Sequence, residues 1–108
     1  MIKVTVRITR AGLLRELTAL GHAGRFDRNG SMTCLAASVL LRTTAEALAE
    51  RFGPGFEVEA PEAGELKLGP IRPRLRDRGW LKGATQVLLT GLRDLAEDSD
   101  EIELIVIE

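Results

Sequence analysis

Cysteine and histidine each occur once in the chain, as Cys34 and His22. A lone cysteine excludes an internal disulfide framework, and one residue of each type excludes a Cys/His zinc cluster within one chain. No run approaches the roughly 20 apolar residues that span a bilayer, so no membrane association is expected. Met1-Ile2-Lys3-Val4-Thr5-Val6-Arg7 lacks the basic segment and apolar run of a secretory signal, and the reading is a cytoplasmic protein. An excess of one charge is missing too: 15 Lys and Arg against 16 Asp and Glu leave a formal net charge of -1. That balance argues against attachment to nucleic acid by bulk electrostatics. No EF-hand loop is present, and the acidic run Glu97-Asp98-Ser99-Asp100-Glu101 reads as a solvated turn, so no metal or other cofactor is expected.

What is present is an ordinary globular composition, 44% hydrophobic, with room for one domain over residues 1–108 and one core. No repeat, low-complexity tract or linker divides it. Ile2, Val4, Val6 and Ile8 alternate with Lys3, Thr5, Arg7 and Thr9, the period of a half-buried strand. Arg10-Ala11-Gly12 is a turn, and Leu13 to Leu20 returns as a second strand whose alternation is blurred by Leu13-Leu14. Gly21 to Met32 reads as a loop. Thr33 to Phe52 reads as a helix, capped by Ser31 or Thr33 and stopped by Gly53-Pro54-Gly55. Phe56 to Ala60 and Glu65 to Leu68 suggest a hairpin. Gly69 to Gly79, with Pro70 and Pro73, reads as an irregular arm, followed by a helix from about Leu81 to Ala96 and a strand from Ile102 to Ile107. The order β-β-α-β-β-α-β implies an α+β two-layer domain, a mostly antiparallel sheet with two helices.

Cys34 falls in the first turn of the first helix, where unpaired backbone N–H groups and the helix dipole stabilise an anion. A thiolate is such an anion, so this position lowers a cysteine pKa. His22 lies in the preceding loop between Gly21 and Gly24, which let the backbone fold the imidazole back over the helix start. A neutral imidazole in reach takes the thiol proton and later hands it to a leaving amine. Ser38, at i+4 from Cys34, shares its helix face and is placed to orient His22 or contact substrate. Spacing alone leaves two readings open, because free cysteine is also among the most buried residue types and a helix start is a common place for it.

Leu20-Gly21-His22-Ala23-Gly24, with Cys34-Leu35-Ala36-Ala37-Ser38 beginning ten residues after Gly24, resembles the ribosomal-processing cysteine protease Prp family. That family carries Gly-His-Ala before a loop, then Cys-Ala-Ala-x-Ser opening a helix. The resemblance extends over nearly the whole chain, from the Met-Ile-Lys-Val start through Leu88, Leu89, Gly91, Leu92 and Leu95 to the terminal strand. It implies a homodimer in which Cys34 attacks a peptide bond and His22 is its base. The implied substrate is a large-subunit ribosomal protein precursor, whose short N-terminal extension is removed during ribosome maturation. The loop from Arg25 to Thr33 is implied to open for the peptide. The chain departs from the family at Ser31, where the family has Asp, so any carboxylate role there is lost. Leu35 replaces the usual Ala and adds bulk beside the nucleophile.

Arg72, Arg74, Arg76, Arg78 and Lys82 alternate with other residues and read as a solvated arm, with direct RNA binding not expected at this net charge. Trp80 reads as core or dimer packing. Val39-Leu40-Leu41 makes the first helix apolar on more than one side, consistent with a second subunit. The alternative to a protease is a non-enzymatic ribosome-associated interaction module in which Cys34 is a packed residue.

Overall fold

The computed structural model describes residues 2–21, 32–53, 58–59 and 65–108, with the backbone alone at 32–34 and 58–59. The alternation of the first segment yields β1 (Ile2–Ile8), with Ile2, Val4 and Val6 fully buried on one face. β2 (Leu14–Leu20) pairs antiparallel to it, Val4 opposite Ala19 and Val6 opposite Leu17. The register then shifts, Arg7 facing Glu16 but Ile8 facing Leu14, so Arg15 is the extra residue of a bulge. That shift turns Leu14 inward out of phase with Leu17, and Leu13, just before β2, is buried as well, so the alternation breaks in sequence.

β4 (Glu65–Leu68) pairs antiparallel with β2, and β3 (Val58–Glu59) pairs antiparallel with β4. β5 (Ile102–Ile107) pairs parallel with β1, giving a five-stranded mixed sheet in the order β3-β4-β2-β1-β5. The expected α+β fold and hairpin are therefore observed. Of the expected strand at Phe56 to Ala60, only Val58 and Glu59 fall within the described residues.

Two 21-residue helices, α1 (Met32–Phe52) and α2 (Arg78–Asp98), cover the buried face of the sheet. α1 turns Ala37, Ser38, Leu41, Ala45 and Leu48 inward, and α2 turns Leu81, Thr85, Leu88, Leu89 and Leu92 inward, the spacing of one helical face. α2 begins three residues before the expected Leu81 and ends two after Ala96. The arm before it is irregular only to Arg74, because Leu75–Asp77 already forms a 3-10 turn that runs into the helix. Glu97 and Asp98 accordingly belong to the last turn of α2 rather than to a loop. Among the described residues, no helix is long and apolar enough to cross a membrane.

The helices run antiparallel. Arg51 and Phe52 at the end of α1 meet Asp77 and Trp80 at the start of α2, while further back on α1 Leu40 lies against Gly91. A Cβ on Gly91 would stand 2.8 Å from Leu40 Cδ2, so the missing side chain sets how closely the helices approach. Trp80 is half-buried, packs against the core, and meets Phe52 edge-on at 5.9 Å, in line with its expected packing role.

Candidate active site

Chain direction decides what gathers at each end of the sheet. β1 rises from Ile2 to Ile8 and β2 descends from Leu14 to Leu20, so Gly21 lies at the end where β1 and β5 begin. α1 ends at the opposite end, its last turn held to the start of α2. A helix of 21 residues is about 30 Å long, so the first turn of α1 returns to the end that holds Gly21. Cys34 is the third residue of α1, in that first turn.

Gly21 closes β2 with φ 131, a backbone conformation that side-chain-bearing residues rarely adopt. His22 follows directly in sequence but lies outside the described residues, as do Gly24 and Ser31. The loop expected to open for the peptide falls there too, except for its last two residues, Met32 and Thr33. For Cys34 the backbone position is described and the side chain is not. Ser38, one turn further along α1, is 6% exposed. It is not without a polar partner, and among the described residues no buried side-chain nitrogen or oxygen lacks one. Leu35, the bulky neighbour of Cys34, is exposed.

The same end of the molecule collects carboxylates. Glu65 starts β4 opposite Leu20. Glu97 and Asp98 end α2, and Asp100 and Glu101 turn the chain into β5, with Ile2 N–H donating to the Glu101 carbonyl at 2.7 Å. By sequence the acidic run is a solvated turn. Its proximity to the candidate site end comes from the parallel β1–β5 pairing, which no local pattern encodes.

What the described geometry offers chemically is a helix start with unpaired N–H groups. It suits a thiolate and, later, the oxyanion of a tetrahedral intermediate.

The family model described as cysteine protease Prp matches residues 1–102. No curated protein matches the chain. Among solved structures, SMU.848 from Streptococcus mutans superposes with a TM-score of 0.75 at 22% identity, over 99% of this chain and 94% of that one. An essential ribosomal processing protease Prp from S. aureus, in complex with a substrate peptide, gives 0.75 at 18% identity, over 98% of this chain and 99% of that one. The same S. aureus protease with a covalently linked product peptide gives 0.76 at 19% identity, with the same coverage.

Proposed function

The chain belongs to the cysteine protease Prp family, and from that premise we propose that it removes the N-terminal extension of a large-subunit ribosomal protein precursor, with Cys34 as nucleophile and His22 as base. The observation that carries the proposal is the family match itself, which runs through both residues. Membership in a protease family sets aside the non-enzymatic module. The S. aureus relative, bound to a substrate peptide and to a covalently linked product peptide, supports both the substrate class and covalent catalysis.

In the proposed reaction His22 takes the Cys34 thiol proton and Sγ attacks the scissile carbonyl carbon. Backbone N–H groups in the first turn of α1 hold the resulting oxyanion. The intermediate collapses by breaking the C–N bond, and His22 gives its proton to the leaving amine. Water, deprotonated by His22, then cleaves the thioester, releasing the carboxyl product and restoring the thiol. Ser38 is a supporting residue one helical turn from Cys34, and Gly21 and Gly24 are the hinges of the His22 loop. The enzyme works without a cofactor, in the cytoplasm, as a homodimer. Leu35 and Val39 support the dimer: they sit one turn apart on α1 and are exposed, Val39 by 55%.

The test is cleavage of a peptide spanning the extension by wild type, Cys34→Ala and His22→Ala. Cutting by wild type that both substitutions abolish is the expected result. A wild type that leaves the peptide intact while iodoacetamide alkylates Cys34 rapidly near neutral pH would sink the substrate assignment and keep the nucleophile.

A further inference from the structure

At the end of the sheet away from the proposed active site, the β1–β2 turn and the arm before α2 form an open groove of about 520 Å3. Its charged lining is guanidinium only: Arg10 from the turn, Arg15 from the bulge, Arg72 from the arm and Arg78 from the first residue of α2. Leu13 and Ile71, both buried, lie beneath them. Arg10 makes one loose pair with Glu108, 3.8 Å long between well-exposed groups. Among the described residues no carboxylate pairs with Arg15, Arg72 or Arg78.

We propose that this groove docks an acidic segment of a protein partner, separately from the peptide that is cleaved. Guanidinium groups pair bidentately with carboxylates and with phosphates, so charge alone names only an anion. Two observations favour a peptide over a nucleic acid. Leu75 stands 84% exposed on the 3-10 turn between two lining residues, Pro73 and Arg78. It is an apolar anchor that a phosphate backbone leaves unused and a peptide side chain covers. No aromatic ring lines the groove to stack a base. β2 spans seven residues, so about 20 Å separates the groove from Gly21, and a segment held here leaves the proposed active site open.

Fluorescence anisotropy with a fluorescein-labelled peptide of repeated Glu-Glu-Leu tests the proposal, with a labelled oligouridylate in parallel. The peptide is expected to bind, to weaken as salt rises, and to lose at least about tenfold in affinity on Arg10→Glu/Arg72→Glu. Leu75→Asp is expected to weaken it severalfold. Lys3→Glu/Lys67→Glu, an equal change of charge on exposed strand positions outside the groove, is expected to stay within about twofold of wild type. Should the arginine double variant fail to fold, Arg72→Ala on the exposed arm gives the same reading at smaller amplitude. No peptide binding, equal losses in the lysine and arginine variants, or tighter binding of oligouridylate than of peptide would each overturn it.

Discussion

Where β1 turns into β2, the molecule is cross-tied. Thr85 Oγ1 accepts a hydrogen bond from the Leu14 N–H at 2.9 Å and donates one to the Leu81 carbonyl at 2.7 Å, fixing α2 to the sheet. The Arg15 carbonyl, turned out by the bulge, accepts the Ile71 N–H at 2.9 Å. Arg51 joins the two helices through Asp77 and Trp80. The other end holds Gly21, the first turn of α1 and the last turn of α2 with its carboxylates. The contrast teaches that the candidate chemistry stands at the far ends of two long helices whose other ends are pinned, so the pins govern stability and the opposite end governs catalysis.

The sharpest way to break that division is at the chemistry itself. Cys34→Ala or His22→Ala should lower cleavage by at least about 10^4-fold, because nucleophile and base act as a unit. The midpoint of chemical denaturation should stay near the wild-type value. A large fall in stability in either variant would show that the residue holds the frame as well.

Next in size is Gly69→Ala at the pinned end. Gly69 has φ 98, and a Cβ there would collide with the Arg15 carbonyl, while Ile71 in the same turn bonds that carbonyl. Left-handed backbone and a clash with main chain together should cost about 3 kcal/mol in urea unfolding. A loss below about 1 kcal/mol would show that the arm simply shifts away.

Thr85→Val follows, expected to cost about 2 kcal/mol by leaving the Leu14 N–H buried without its acceptor. Thr85→Ser keeps both hydrogen bonds and should recover most of the loss. A loss in Thr85→Ser with none in Thr85→Val would mean that the methyl group, rather than the hydroxyl, does the pinning.

These residues also mark what could be read from sequence. Period-two alternation gave β1, and the apolar stripes gave both helices to within a few residues, because each is a local pattern imposed by burial of one face. Gly21-His22 and Cys34-x-x-x-Ser38 were legible for a different reason, as a spaced motif resembling a protease family. The bulge showed only as an unexplained pair, Leu13-Leu14. Thr85 looked like any helix threonine, since its partner lies 71 residues away. The grouping of Arg10 and Arg15 with Arg72 and Arg78 was hidden for the same reason: sheet register and the course of the arm create it, and neither leaves a periodic trace. Sequence placed the arginines of the arm in solvent, and they are exposed, but it did not supply the other wall of the groove.

Gly91→Ala sharpens the comparison along the helices, between the two ends. Alanine raises helix propensity by about 1 kcal/mol, while a Cβ at 2.8 Å from Leu40 Cδ2 forces a shift that costs about 1–3 kcal/mol. A net loss of about 1 kcal/mol is expected, and in a Leu40→Ala background the same change should stabilise by about 1 kcal/mol. Equal effects in the two backgrounds would show that the two residues do not limit the helix spacing.

The smallest effect belongs to Arg51, and it tests the division most directly. Its guanidinium lies 3.0 Å from Asp77 Oδ1 through Nη2 and 5.4 Å from the Trp80 ring centroid, and Nε donates to the same carboxylate oxygen at 3.1 Å. The Arg51 side chain is 41% exposed, so solvent screens the ion pair and Arg51→Ala should cost only about 1 kcal/mol. Arg51→Lys keeps the charge but loses the planar fork and the stacking, so it should recover less than half of that. If the pinned end serves stability alone, kcat/KM of Arg51→Ala should remain within about twofold of wild type at temperatures where the protein stays folded. A larger fall, with stability lowered no further than expected, would mean that the tie between the helices also sets the position of Cys34 at the far end of α1.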